Sequence, residues 1–113
     1  MVFRDLSTDR LHEAATYFAA GEAARRTRHR IAVVPEERPF RLEINGHAVR
    51  VFSRRTAQER PMRRGTQQDV AGAHSLVFVD LFADTPAFYI TPPDVAAGEV
   101  EQWRDRWDRL DAS

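Results

Sequence analysis

The chain of 113 residues contains no cysteine and no lysine, and its five glycines are scattered singly. Without cysteine there is no disulfide framework, zinc ribbon or thiol nucleophile, which excludes a small secreted scaffold held by disulfides. Without lysine, Schiff-base chemistry and lysine-assisted hydrolysis are excluded. The sequence also lacks a glycine-rich phosphate loop and a glycine-flanked serine, so hydrolase and nucleotidyl-transfer chemistry have no motif here.

Long apolar runs are missing as well. No strictly apolar stretch is longer than that of Leu76–Val79, which is far short of the roughly 18 residues that a membrane span needs. No apolar stretch with small cleavage residues follows the start of the chain. We therefore expect a cytoplasmic protein that neither crosses a membrane nor carries a secretory signal.

The composition is that of one folded domain with an uneven charge distribution. Apolar residues make up 42% and charged residues 30% of the chain, as in a soluble globular domain, here spanning 1–113. All 17 basic residues are arginine. Residues 25–64 contain twelve arginines and four acids, a formal charge of +8, whereas residues 65–113 contain three arginines and nine acids, a charge of −6. Concentrated arginine attracts phosphate, so this asymmetry favours a nucleic-acid or acidic protein partner.

The first third of the chain predicts one helix and one short strand. Apolar residues recur at helical spacing after the possible N-caps Ser7, Thr8 and Asp9, which predicts a helix from about 9 to 26. The mostly β-branched run Ile31–Val34, closed by a proline, predicts a short strand followed by a loop.

The clearest local signal is a β-hairpin over 40–52. Alternating sequence surrounds Asn45-Gly46, a two-residue turn that tolerates positive φ at both positions. Such a turn pairs Ile44 with His47, and the register then places Arg41 directly opposite Arg50. Like charges in register are unfavourable by up to ~1 kcal/mol unless an acid or a bound anion lies between them.

The second half predicts a loop, two strands and a helix. Residues 54–74 are rich in arginine, glutamine and glycine without apolar periodicity, which predicts a mobile basic loop. The nearly continuous apolar run 76–82 predicts a strand covered on both faces, with Phe88–Ile90 as its hairpin partner. Thr91-Pro92-Pro93-Asp94 predicts the start of a helix that runs to about 110 with Trp103 and Trp107 on one stripe.

These elements predict a small α/β or α+β fold. A mixed sheet of three to four strands is flanked by an N-terminal and a C-terminal helix. The tryptophan stripe fits either core packing or a dimer or partner interface. The four histidines show no metal-ligand spacing, so no metal site is predicted, although Glu13, Glu43, Asp80 and Asp84 could meet around magnesium.

One segment resembles a known superfamily. Phe78-Val-Asp-Leu81, a short turn, and then Pro86-Ala-Phe-Tyr-Ile90-Thr-Pro92 look like the closing part of small bacterial proteins of the restriction-endonuclease-like, PD-(D/E)XK nuclease superfamily. The upstream order of helix, strand pair and hairpin is similar too. The resemblance implies a restriction-endonuclease-like fold over most of the chain.

The same resemblance implies that the catalytic residues are lost. In that superfamily an aspartate on the first hairpin strand, and an acid or glutamine followed two residues later by a lysine on the second, hold a metal and activate water. Laid on this sequence, those positions fall at Arg41, Arg50 and Phe52, and only Glu13 corresponds to the helix acid that some members use. Two guanidiniums would repel magnesium and attract phosphate.

We therefore predict a catalytically inactive domain, without metal or other cofactor, that binds nucleic acid or another anionic partner. The predicted contact residues are Arg41, Arg50, Arg54, Arg55, Arg60, Arg63 and Arg64, acting through charge and bidentate hydrogen bonds. Two alternatives stay open. One is a protein-interaction or dimerisation module that uses Trp103, Trp107 and the acidic tail, and the other is an atypical metal-dependent nuclease that uses Glu13, Glu43 and Asp80.

Overall fold

The structure is a computed structural model that describes residues 7–34, 41–54, 72–81 and 85–111. Within these ranges the fold is α+β, with one main helix and a five-stranded mixed sheet. The elements are α1 (Thr8–Arg26), β1 (Ile31–Val34), β2 (Arg41–Ile44), β3 (His47–Arg54), β4 (Ser75–Asp80) and β5 (Ala87–Thr91), followed by 3-10 helices at Ala97–Trp103 and Trp107–Asp111. No helix in the described ranges combines the length and the apolar character that a membrane span requires.

Helix α1 confirms the helix predicted over about 9 to 26. Ser7 is its N-cap, in an extended conformation, and its side chain accepts a hydrogen bond of 3.3 Å from the Arg10 backbone N–H. The buried side of the helix repeats every four residues, so it forms one stripe along the axis. That stripe consists of Leu11, Ala15, Ala19 and Ala23. Three of the four are alanines, whose small side chains let the helix pack close to the sheet.

The β2–β3 hairpin has the predicted register. Asn45 and Gly46 take φ values of 56° and 77°, the left-handed conformation that a two-residue turn of this kind needs. Ile44 pairs with His47, and Arg41 pairs with Arg50. The turn chemistry alone therefore decides which hairpin residues share a face of the sheet.

The sheet has the order β1-β2-β3-β4-β5 and contains more strands than predicted. All neighbours are antiparallel except β3 and β4, which are parallel. The prediction of three to four strands was too low, because the four residues of Ile31–Val34 are enough to pair with β2 along its whole length. All six residues of Ser75–Asp80 are buried, which confirms a strand covered on both faces.

The prediction of one C-terminal helix that runs to about 110 is wrong. The segment forms two short 3-10 helices, separated where Arg104 makes a β-bridge with Tyr89 and the Asp105 N–H donates 2.9 Å to the Phe88 carbonyl. Asp105 has φ 54°, which an α-helix does not accommodate. Hydrogen bonds to the edge of β5 replace those of a continuous helix, so tertiary pairing overrides the helical periodicity of the sequence.

The break carries the chain from one face of the sheet to the other. Helix 97–103 places Val100 and Trp103 against Leu76 and Phe78 on what we call the second face. Helix 107–111 buries its apolar residues on the helix face, which is the face covered by α1. The core of the helix face includes Leu42, Ile44, Val49, Val51, Val77, Val79, Trp107 and Leu110.

Candidate functional sites

The predicted hairpin arginines lie side by side on the second face of the sheet. Arg41 and Arg50 are directly opposite each other in the ladder, where facing Cβ atoms are typically ~4.5–5.5 Å apart. Both residues are partly buried. Arg41 Nη2 lies 3.4 Å from Glu43 Oε2, and the Arg41 side chain is 26% exposed. One carboxylate therefore contributes to balancing the charge of this pair.

The other predicted contact arginines are described only in part. Arg54 ends β3, and its backbone pairs in register with Asp80 of β4. The remaining four lie outside the described residues, as does most of the loop predicted over 54–74. They are Arg55, Arg60, Arg63 and Arg64.

The acids proposed for an atypical metal site do not come together. Glu13 lies on α1 and forms an ion pair with Arg10, on the helix face of the sheet. Glu43 alternates with Leu42 and Ile44, which are buried on that face, so Glu43 belongs to the second face. Within the described ranges no three histidine, cysteine or acidic side chains form a group that could hold a metal ion.

The two tryptophans predicted to share a stripe lie in different cores. Trp107 is 4% exposed and packs against Phe88, with ring centroids 5.9 Å apart. Its Nε1 atom is buried and has no hydrogen-bond partner in the described part of the chain. Trp103 is only partly buried, against the core of the second face. An interface through these residues stays a prediction. Of the two tryptophans, Trp103 is the more exposed and would supply most of the contact area.

A polar cluster that the sequence did not predict lies at the end of the sheet where β3 and β4 begin. We call it the end cluster, and it consists of His47, His74, Ser75, Trp103 and Arg109. The rings of His47 and His74 are stacked, with centroids 3.9 Å apart and planes 14° apart. His74 Nδ1 lies 2.9 Å from the Oγ of the fully buried Ser75. The His74 backbone N–H donates 2.8 Å to the Ala48 carbonyl, which fixes the approach to β4.

Arg109 brings a positive charge to this cluster from helix 107–111. Its Nη2 donates a long hydrogen bond of 3.4 Å to Ser75 Oγ, and its guanidinium carbon lies 5.5 Å from the centre of the Trp103 ring. Its Nε is buried without a hydrogen-bond partner among the described residues. Burial, followed by the repulsion from Arg106, lowers the pKa of Arg109.

The surroundings of His74 oppose its protonation. Burial is the largest cause that lowers the pKa of His74, and the nearby His47 and Arg109 add to the effect. An imidazole in a positive field is held neutral, so it acts as a hydrogen-bonding group rather than as a cation. The positive charge of the end cluster therefore comes mainly from Arg109, on which Asp108 and Asp94 act from outside the cluster.

Sequence reasoning had no signal for the end cluster. Its residues come from the starts of β3 and β4 and from the two C-terminal 3-10 helices, three regions that are far apart in the chain. They share no spacing, and only His74 and Ser75 are neighbours in sequence. Searches of protein-family models, curated proteins and solved structures found no match to this chain.

Proposed function

We propose that this protein is a catalytically inactive domain with a nuclease-like fold that binds nucleic acid through the arginine-bearing part of its second face. The observation that carries the proposal is the cross-strand pair of Arg41 and Arg50. These are the positions at which the PD-(D/E)XK resemblance implies an aspartate and a second acid. Exchanging carboxylates for guanidiniums there changes the preferred ligand from a divalent cation to a phosphate.

The physical argument is one of charge compensation. Two like charges opposite each other in a sheet destabilise the ladder by up to ~1 kcal/mol. Glu43, at 3.4 Å from Arg41, contributes one negative charge beside the two guanidiniums. Phosphate oxygens match the planar fork of a guanidinium in pairs. The phosphodiester backbone of a nucleic acid is therefore a suitable partner for two adjacent arginines.

The binding is expected to be independent of base sequence and dependent on salt. Contacts to phosphates release counter-ions, so the logarithm of the binding constant falls linearly with the logarithm of the salt concentration. The expected slope drops by about 2 when two phosphate-contacting arginines are removed.

The test is fluorescence anisotropy with labelled single-stranded DNA, double-stranded DNA and RNA at low ionic strength. Arg41→Gln with Arg50→Gln is expected to lower affinity by about tenfold or more and to flatten the salt dependence. The matched control is Arg25→Gln in the last turn of α1 with Arg28→Gln just after the helix, which removes the same charge from exposed positions. Its expected effect is less than about threefold.

Three outcomes would contradict the proposal. One is that neither DNA nor RNA binds at low ionic strength. The second is an equal loss of affinity in the two double variants, which would reflect net charge alone. The third is magnesium-dependent cleavage of plasmid DNA that Glu43→Gln abolishes, since this would show an active nuclease.

A further inference from the structure

The guanidinium of Arg109 is partly dehydrated and has no ion-pair partner among the described residues. Within that part of the chain its Nε is buried without a hydrogen bond, and its contact with Ser75 Oγ is long. Asp94 and Asp108 act on it only at a distance, and no acid of the described ranges forms an ion pair with it. A charge removed from water without a partner is unfavourable, and an anion bound at its accessible side would offset that cost.

Arg106 provides an internal comparison, because it lies over the same tryptophan ring. The guanidinium carbons of Arg106 and Arg109 are 5.3 and 5.5 Å from the centre of Trp103. Arg106, however, makes two hydrogen bonds of 2.9 Å to Asp108 and is exposed. The two arginines thus share a stacking partner but differ in their acidic partners: Arg106 is hydrogen-bonded to Asp108, whereas Asp108 and Asp94 act on Arg109 only at a distance.

His74 adds a neutral hydrogen-bond donor in one of its two tautomers. If the Ser75 hydroxyl donates to His74 Nδ1, the proton of the neutral ring is on Nε2, which is then a donor. Ser75 is fully buried, so its hydroxyl orients the histidine ring and does not itself reach a ligand. The pair adds no negative charge beside the guanidinium.

We propose that the end cluster is a binding site for an oxyanion of the phosphate class, with Arg109 as its charged ligand and His74, oriented by Ser75, as a neutral donor. A cation is disfavoured there by the uncompensated guanidinium, while a phosphate group accepts several hydrogen bonds and carries the missing charge. Stacking on Trp103 holds the guanidinium in position. The proposal does not rest on the proposed function, because it uses none of the hairpin arginines.

The first test is a titration of the intact protein with inorganic phosphate near neutral pH, followed by NMR of the histidine rings. We expect saturable shifts of the His74 ring signals and an increase in the pKa of His74, because a bound anion stabilises the imidazolium. Arg109→Gln is expected to weaken phosphate binding at least about tenfold, which corresponds to about 1.4 kcal/mol.

Two further variants keep the result interpretable. Arg106→Gln removes an exposed arginine from the same tryptophan ring and is expected to change phosphate affinity by less than about twofold. Arg109→Lys keeps the charge but loses the planar fork, so it is expected to weaken binding several-fold in a folded protein. Circular dichroism establishes that each variant is folded.

A second arm distinguishes the source of the phosphate group. Oligonucleotides with a 5′-phosphate and with a 5′-hydroxyl are compared with inorganic phosphate on the native protein, Arg109→Gln and the Arg41→Gln, Arg50→Gln variant. A preference for the 5′-phosphate that is lost in Arg109→Gln identifies a nucleic-acid end as the ligand. Binding of inorganic phosphate without such a preference identifies a free oxyanion.

The proposal is overturned by either of two results. One is the absence of saturable shifts up to about 20 mM phosphate, a concentration that would reveal even millimolar affinity. The other is an equal loss of phosphate binding in Arg106→Gln and Arg109→Gln. Failure of nucleic-acid binding through Arg41 and Arg50 leaves both results unchanged, so the two proposals fail separately.

Discussion

The two faces of the sheet are built from alternate residues of the same strands, yet they differ in composition. On the helix face, Leu42, Ile44, Val49 and Val51 are fully buried beneath α1. On the second face, the same two strands carry partly buried Arg41, Glu43 and Arg50, and the apolar core is displaced toward β4 and β5. One face is a continuous core, whereas the other is apolar over one half and charged over the rest.

This difference indicates how stability and recognition are separated in a small domain. A chain of this length has one main core, and the helix face contains most of it. The charged half of the second face buries less apolar surface, so substitutions there should cost less stability than substitutions on the helix face. Arg41 and Arg50, two of the proposed nucleic-acid contacts, lie there, and substitutions on the two faces should affect different measurements.

The largest expected effect tests the helix face. Leu42→Ala removes a side chain with no exposed surface and should lower the free energy of unfolding by about 2–5 kcal/mol, because a cavity replaces packed atoms. Urea denaturation measures this change. The matched control is Glu43→Ala, one residue along the strand on the second face, whose side chain is 45% exposed. A control loss as large as that of Leu42→Ala would contradict the separation of the two faces.

The second largest expected effect concerns the β2–β3 turn, which is hydrogen-bonded to helix 107–111. Asn45 has φ 56°, and its Nδ2 donates 3.0 Å to the Leu110 carbonyl. Asn45→Ala should lower the free energy of unfolding by about 1–3 kcal/mol, through backbone strain and a lost hydrogen bond. Asn45→Gly relieves the strain and should lower it by only about 0.5–1.5 kcal/mol. Equal losses in thermal denaturation would show that backbone strain contributes nothing.

The smallest effect concerns pH and the end cluster. Burial, His47 and Arg109 lower the pKa of His74 below its ordinary 6.5 in the folded protein. The unfolded state therefore takes up the proton first. The stability that neutral His74 contributes is present above pH 6.5 and is lost as the pH falls toward the lower folded pKa.

Urea denaturation at about pH 7.5 and pH 5.5 checks this sign. The native protein should lose more stability between these values than His74→Asn, since the variant has no imidazole at this position. Contributions from other titrating groups, which are common to both proteins, cancel in the difference. A steeper pH dependence in the variant would contradict the assigned direction of the shift.

Much of the first half of the fold was predictable from local patterns. Asn45-Gly46 determines the turn, and the turn determines that Arg41 faces Arg50. The alternation of Leu42, Glu43 and Ile44 then determines the buried face. These predictions succeeded because each depends on residues that are close together in sequence. The nuclease-like resemblance and the role of the arginines stay predictions.

The C-terminal segment and the end cluster were not predictable in the same way. The helical spacing of Val100, Trp103 and Trp107 is real, but the β-bridge of Arg104 with Tyr89 and the hydrogen bond from the Asp105 N–H to Phe88 interrupt the helix, and the two tryptophans lie on opposite faces. The stacked histidines and Arg109 meet only because β3 and β4 pair in parallel and helix 107–111 lies against their starts. A local pattern contains no information about such contacts.

The sequence by itself determined α1, the register of the β2–β3 hairpin and the complete burial of β4, because propensity, turn chemistry and alternation act over a few residues. The tertiary structure decided the parallel pairing of β3 with β4, the break between the two 3-10 helices and the position of Arg109 beside Ser75. The physical reason is range: propensity, turn chemistry and alternation act between neighbours in the chain, whereas strand pairing, the hydrogen bonds that interrupt a helix and the environment of a buried side chain depend on residues that are distant in sequence.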